Sequence, residues 1–273
     1  NRIGGAGNVA LNLKNLGACP IIASVIGTDS EGEILEGLFQ KRGISQDGLI
    51  KSKFRKTTVK TRVISSKQQL LRIDSEDTHA LSSEHEQLLF KKIIQLIGIG
   101  LDAIILEDYD KGVLNEKNIQ RIITEANKKN IPVTADPKKE NFHHYYGLSL
   151  FKPNLKELKE GLNLDFSFEN ERNAFETAVQ KLRTAVPHEV SLITLSEHGV
   201  YVCDNSKKVH IEAHKREITD VSGAGDTVIA VATLCLLSEA PLEAIAQISN
   251  IAGGMVCEKP GVVSISFEEL KKE

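Results

Sequence analysis

The sequence predicts an α/β fold with a central, mostly parallel sheet and one small antiparallel excursion. Three observations predict it. Beyond residue 83, apolar strand-like runs alternate with helical stretches, the pattern of strands joined by crossover helices. The run Pro20–Gly27 is almost continuously apolar, as in a parallel strand covered on both faces. Between Leu49 and Asp74 the period drops to two, as in antiparallel strands with one face in water. With 273 residues, 41% of them apolar, the chain has enough material for one domain with a full core.

Each element follows from local signals. Val9, Ala10, Leu13 and Leu16 recur at helical spacing and Gly17 closes that helix. Its entrance, Gly4-Gly5-Ala6-Gly7-Asn8, is glycine-rich, but it does not match G-x-x-x-x-G-K-[ST] and so is no Walker-type loop. After the strand ending at Gly27, Asp29 caps a helix that runs to Arg42 and stops at Gly43. Residues 48–75 form the excursion, with Thr57–Ile64 pairing against Gln69–Ile73 across Ser65-Ser66-Lys67. There follow a helix over 83–97, a strand over 102–106, a loop Glu107–Gly112, a helix over 115–129 and a strand that ends at Asp136-Pro137-Lys138. Charged residues just past such strand ends lie where open α/β sheets bind ligands. Asn154 and Glu157 are spaced as a capping box at the start of a further helix. The strand 190–194 returns as 200–203, and a helix rich in small residues, including Asn250, Gly253 and Gly254, spans 241–258.

The stretch that carries chemistry is Asp220-Val221-Ser222-Gly223-Ala224-Gly225-Asp226-Thr227. The ten residues after it are apolar all round, so the helix they form must be buried. A small-residue turn opening into a helix gathers free N–H groups and partial positive charge, a place for an anion. Asp226 sits in the first turn, where we expect an ionised carboxylate. That pairing suits phosphoryl transfer to a hydroxyl: the turn takes the transferring charge and the carboxylate takes the proton. A lone G-x-G-D would be read as a tight turn and a helix cap; the flanking Asp220 and Thr227 shift the balance.

Composition excludes other classes. Thirty-four basic against 37 acidic residues argue against a nucleic-acid or membrane partner dominated by charge. No apolar run approaches the roughly 18 residues a membrane span needs. Cys19, Cys203, Cys235 and Cys257 contain no C-x-x-C pair, which speaks against zinc or a disulfide framework and for reduced thiols in the cytoplasm. Neither His210 and His214 nor His143-His144 have the setting of metal ligands.

The octet resembles the D-T-x-G-A-G-D signature of the ribokinase-like (PfkB) carbohydrate kinases. G-G-A-G-N, P-N-x-x-E and T-x-S-x-x-G appear in that family's order along essentially the whole chain. The resemblance implies a three-layer sandwich with a small β-sheet lid, ATP and Mg²⁺, and direct in-line transfer. By it, Asp226 is the base, and the N–H groups of Gly223, Ala224 and Gly225 form the anion hole. Asn154, Thr194, Ser196, Gly199 and Asn250 face ATP, and Glu157 holds magnesium largely through water. Gly5 and Asn8 contact the sugar. The loop Lys259–Ser264 is similar to one that binds a monovalent cation in some members, and the lid often serves as a homodimer clasp.

Within the family, the lid run Lys60-Thr61-Arg62-Val63 with Gln68–Asp74, the D-Y-x-K-G stretch at 108–112 and D-P-K at 136–138 look like the heptose 7-phosphate kinase branch. That implies a sugar-phosphate site made by Lys60, Arg62, Gln69, Asp108, Lys111, Asp136 and Lys138, and heptose 1,7-bisphosphate as product on the way to ADP-heptose and lipopolysaccharide core. Two other readings stand beside it: a kinase of a neutral sugar, of ribokinase or fructokinase type, and an inactive sugar-phosphate sensor. The family's first strand, which carries sugar-binding Gly and Asp residues, has no counterpart here, and since the chain opens at Asn1 we expect a segment upstream.

Overall fold

The structure is a computed structural model that describes residues 1–65 and 68–273, and of residues 64, 68 and 69 the backbone alone. The expected turn at Ser66-Lys67 and the Gln69 side chain therefore lie outside the described residues. In chain order the elements are α1 (Ala6–Asn15), β1 (Ile21–Gly27), α2 (Ser30–Arg42), β2 (Ser45–Ser52), β3 (Val59–Ser65), β4 (Gln68–Ser75), α3 (Ser83–Ile99), β5 (Ile104–Glu107), α4 (Glu116–Asn127), β6 (Val133–Asp136), β7 (Leu148–Phe151), α5 (Leu155–Gly161), α6 (Arg172–Ala185), β8 (His188–Thr194), β9 (Val200–Cys203), β10 (Lys208–Ile211), α7 (Ala224–Leu237), α8 (Leu242–Cys257) and α9 (Phe267–Leu270).

Among the described residues the strands form three sheets. The central one has the order β10-β9-β8-β7-β6-β5. Its members β5 to β8 run parallel, and β9 and β10 are added antiparallel at one edge. Side-chain alternation splits the core into two layers. Phe151, Ile193, Tyr201 and Cys203 point into one apolar cluster with α4 and α6; Leu150, Leu192, Val200 and Val202 point into the other with α7 and α8. The three-layer α/β arrangement follows.

The helix predicted to be apolar all round is α7. Its residues from Val228 to Thr233 are all buried, and Thr233 Oγ1 lies 2.8 Å from Thr134 Oγ1 of β6. This pins α7 against β6. The predicted caps of α2 are present: Asp29 Oδ1 accepts the Gly32 N–H at 2.9 Å, and Gly43 closes the helix at φ 64°.

Two expectations need correction. β1 pairs with β2 in a two-stranded parallel sheet of its own and is only half-buried. Residues 48–52 therefore belong to β2, and the antiparallel ribbon begins at Val59. The first helix starts at Ala6, inside the glycine-rich entrance, because Gly5 takes φ 58° and turns the chain into it; Asn8, expected at the helix start, thus lies inside the first turn.

Candidate active site

The N-termini of α1 and α7, far apart in sequence, meet at Asp226. Asn8 Nδ2 donates to Asp226 Oδ2 at 2.8 Å, and the Tyr109 hydroxyl, from the loop after β5, donates to Oδ1 at 2.7 Å. Gly223 enters α7 at φ 86°, and a Cβ there would lie 2.9 Å from Asn8 Nδ2. Glycine is required twice over at this position, by dihedral and by space. Gly5 contacts the Tyr109 ring, with a Cβ position 3.5 Å from it. Asn8 is fully buried, and its Oδ1 has no hydrogen-bond partner. A buried acceptor left open is costly unless something donates to it, and a sugar hydroxyl would.

The carboxyl of Asp226 is shifted upward, against the downward pull of a helix N-terminus. Burial raises its pKa, Asp136 adds to the rise, and the hydrogen bonds from Asn8 and Tyr109 with the charge of Lys152 offset only part of it. For a general base this is the useful direction, because a carboxylate of raised pKa is a stronger proton acceptor. Activity that needs the ionised form then falls on the acid side at a higher pH than for an exposed aspartate. Tyr109 is pushed upward too, by burial and by the negative charges of Glu107 and Asp226, so it stays protonated and acts as a donor.

Beside Gly225 lies an ionic cluster. A Cβ on Gly225 would be 3.5 Å from Asp136 Oδ2 and 3.6 Å from Lys152 Nζ. Lys152, only 2% exposed, pairs with Asp136 Oδ2 at 2.8 Å. Lys138 reaches Asp136 Oδ1 at 3.5 Å and Glu157 Oε1 at 2.5 Å. Burial alone would lower the pKa of both lysines, yet Asp136 and Glu157 carry the balance upward. Glu107, the register partner of Asp136 on β5, has a sealed Oε2 without a partner, and burial beside Asp136 and Asp226 drives its carboxyl well above the usual range. The carboxyl edge of the sheet thus places two cations beneath the helix N-terminus, where a transferring phosphoryl group would dock.

Glu157 is a partner in the predicted capping box with Asn154: its Oε2 accepts the Asn154 N–H at 2.9 Å, and its N–H donates to Asn154 Oδ1 at 2.8 Å. With Lys138 on the other oxygen, it fits a metal as one hard oxygen donor reached through water, not as part of a protein cage. Among the described residues no group of three or more His, Cys, Asp or Glu is arranged to hold a metal ion. Asn154 and Thr194 form a parallel bridge, and Thr194 N–H donates to Pro153 O at 3.2 Å. Ser196 and Gly199 both take positive φ in the hairpin between β8 and β9. A Cβ on Gly199 would strike the chain at Glu212, whose carbonyl also accepts Asn250 Nδ2 at 2.8 Å. Of the five predicted nucleotide-facing residues, Asn154 stands just beyond β7, Thr194 ends β8, Ser196 and Gly199 lie in the hairpin after it, and Asn250 lies on α8.

The predicted sugar-phosphate residues divide. Lys60 and Lys111 come together on one carboxylate, Glu76, at 3.1 and 2.5 Å. Lys60 also reaches Asp74 at 3.0 Å. Glu76 and Asp74 thus already balance Lys60 and Lys111 without a charged sugar. Arg62 is exposed on β3 and contributes to lowering the pKa of Asp220, whose carboxylate accepts the N–H groups of Ser222 and Gly261, both at 2.9 Å. Asp108 is used inside the fold: it is 2% exposed and accepts from Asn141 at 2.9 Å and Tyr145 at 2.7 Å. Asp136 and Lys138 lie apart from these, in the ionic cluster beside Gly225.

Sequence reasoning missed Tyr109, Lys152 and Glu107. Tyr109 stood inside the quoted D-Y-x-K-G stretch, and Lys152 was visible as a lysine closing the apolar run 148–151. Glu107 is the last residue of its strand, a position whose meaning depends on what lies opposite.

A model of the pfkB family of carbohydrate kinases matches residues 1–269. The chain is 39% identical over 272 residues to the bifunctional protein HldE of Methylobacillus flagellatus, covering 100% of this chain and 55% of that protein. It is equally 39% identical over 272 residues to the bifunctional protein HldE of Campylobacter jejuni, covering 99% and 56%. The chain thus spans about half the length of the curated relatives it matches. Among solved structures, phosphofructokinase-2 from Escherichia coli in complex with potassium superposes with a TM-score of 0.82 at 21% identity, over 98% of this chain and 86% of that one. At that identity the likeness is one of fold.

Proposed function

The chain belongs to the pfkB family of carbohydrate kinases, and on that premise we propose that it transfers the γ-phosphoryl group of ATP to the anomeric hydroxyl of heptose 7-phosphate. The product is heptose 1,7-bisphosphate, a precursor of the ADP-heptose used in lipopolysaccharide core. The observation that carries the kinase reading is Asp226, buried at the N-terminus of α7 and held on both oxygens by Asn8 and Tyr109.

In the reaction, Asp226 accepts the hydroxyl proton as the sugar oxygen bonds to the γ-phosphorus and the bond to the ADP oxygen breaks. The N–H groups around Gly223–Gly225 and the Lys138 ammonium take the charge on the phosphoryl oxygens. Asn8 Oδ1 accepts a second sugar hydroxyl. When bound, Mg²⁺ would supply charge neutralisation on the ATP phosphates, and Glu157 is the residue that would hold it through water. The same reading puts a monovalent cation near Asp220 and the loop 259–264; the Escherichia coli neighbour is described in complex with potassium.

Lys60, Lys111 and Arg62 support the phosphate end of the substrate, and the HldE relatives support the same branch. One observation favours a neutral sugar instead: Glu76 and Asp74 already neutralise the lid lysines. The side chains of Val63, Leu71 and Ile73 stand exposed on the ribbon and support a homodimer that buries them. Among the described residues no helix is long and apolar enough to cross a membrane, and reduced thiols support a cytoplasmic site of action.

The test is ATP turnover on a panel of heptose 7-phosphate, ribose and fructose, with Asp226→Asn beside the unaltered protein. Turnover confined to heptose 7-phosphate is expected, with a loss of at least about a thousandfold in the variant. Turnover on ribose or fructose keeps the kinase and removes the phosphate-binding lid. A folded Asp226→Asn with near-normal turnover overturns the mechanism.

A further inference from the structure

We propose that Tyr109 is the positioning residue of the base: its hydroxyl on Oδ1, opposed by Asn8 on Oδ2, orients the Asp226 carboxylate toward the acceptor hydroxyl. The inference rests on the reading of Asp226 as the base and adds to it a residue no sequence motif singled out for this role.

The geometry supports this from three sides. Tyr109 is placed by its own surroundings rather than by Asp226: its ring lies against Gly5, and Lys138 Nζ stands 6.0 Å from the ring centroid. The loop that bears it is bolted at both flanks. Asp108 is held by Asp110, Asn141 and Tyr145, and the Lys111 carbonyl accepts from the guanidinium of Arg55. A hydroxyl fixed in this way fixes what it binds. Each carboxylate oxygen offers two acceptor directions. With one on each oxygen occupied, the carboxylate cannot rotate, and a remaining lone pair stays aimed where the acceptor hydroxyl would sit. A freely rotating carboxylate would meet that proton only part of the time, and orientation of this kind is a large part of what an enzyme supplies.

The groups that face Asp226 are Asn8 from α1, Tyr109 and Glu107 from the end of β5, Asp136 from the end of β6, and Lys152 just beyond β7. Of the two hydrogen bonds that oppose the upward push of burial, one is from Tyr109. Its removal therefore moves the titration of Asp226 further upward, whereas a residue that merely filled space would leave it in place.

The experiment follows the carboxyl carbon of Asp226 by NMR in protein labelled at aspartate, with the signal identified by its loss in Asp226→Asn. The titration midpoint is expected to be higher in Tyr109→Phe than in the unaltered protein. Site-specific 3-fluorotyrosine at 109, which keeps the ring and strengthens the donor, should move it lower and covers the case in which Tyr109→Phe does not fold. In turnover, the acid limb of kcat/KM should follow the same displacement. At the acid end kcat/KM should fall by roughly tenfold or more, the size expected for losing a hydrogen bond to a charged group, with KM nearly unchanged. Tyr146→Phe, an exposed tyrosine, serves as the control. An Asp226 midpoint that stays put in both variants overturns the proposal, as does a fall in turnover with an unmoved acid limb. If the unaltered protein turns over no sugar, the kinase reading fails, while the NMR titration still decides whether Tyr109 governs the carboxylate.

Discussion

Asp226 and Lys60 both bring a formal charge into the proposed site, in opposite surroundings. Asp226 is 7% exposed, held on both oxygens by neighbours from two other parts of the chain, and surrounded by buried charges. The Lys60 side chain is 31% exposed and shares two carboxylates on a ribbon whose strands pair only with each other among the described residues. A charged group's contacts have a different value in each place. In the buried centre neither partner can turn to water if the other is lost, so every removal leaves an uncompensated group. On the lid, water replaces a lost partner at little cost. The centre is therefore rigid by necessity, while the lid is free to exchange Glu76 for another anion.

The difference predicts how the two regions respond to substitution. Lys152→Met should have the largest effect on stability. It strips Asp136 of its 2.8 Å partner inside the core and should cost about 3 kcal/mol, read as a lowered midpoint in denaturant unfolding. An unchanged midpoint would show that Lys138 alone can balance Asp136. Gly223→Ala should cost less, about 1–3 kcal/mol, through a left-handed dihedral that alanine resists and a contact with Asn8 Nδ2. It should also lower kcat by displacing Asn8 from Asp226; equal kcat in the folded variant would separate the turn from the chemistry. Lys60→Ala should be the mildest, within about 0.5 kcal/mol of the unaltered protein in stability. Its effect is expected in KM for a phosphorylated sugar with little change in kcat, and a KM that does not move would mark the lid as a cover without a charge-reading role.

The centre was largely legible because its signals are local. Gly223, Gly225 and Asp226 lie within four residues, and the apolar run behind them announces a buried helix whatever it packs on. Asn154 and Glu157 were legible for the same reason, their capping box being a contact across three residues. The lid was legible as a ribbon from its period of two, yet its chemistry was misjudged: Glu76 stands outside the paired run, and nothing local says that it takes both Lys60 and Lys111. In the D-Y-x-K-G stretch, Asp108 was the expected ligand and Tyr109 was passed over. Which of two adjacent side chains turns inward depends on the strand before them and the helix above, and here Asp108 turns into the fold while Tyr109 turns to Asp226.

By itself, the sequence determined the family, the α/β layering, the caps and the place of Asp226 in the first turn of a buried helix, because each is written in short-range spacing or in the burial that apolar runs demand. Only the tertiary structure decided the company that carboxylate keeps. Asn8 and Tyr109 reach Asp226 across separations of 218 and 117 residues, and Asp136 with Lys152 converges on Gly225 from two neighbouring strand ends. Burial in that company raises the carboxyl's pKa, where its place in the first turn of a helix alone would have lowered it. The reason is that desolvation and the surrounding charges are sums over everything nearby in space, and chain order does not contain those sums until the sheet has brought its edges together.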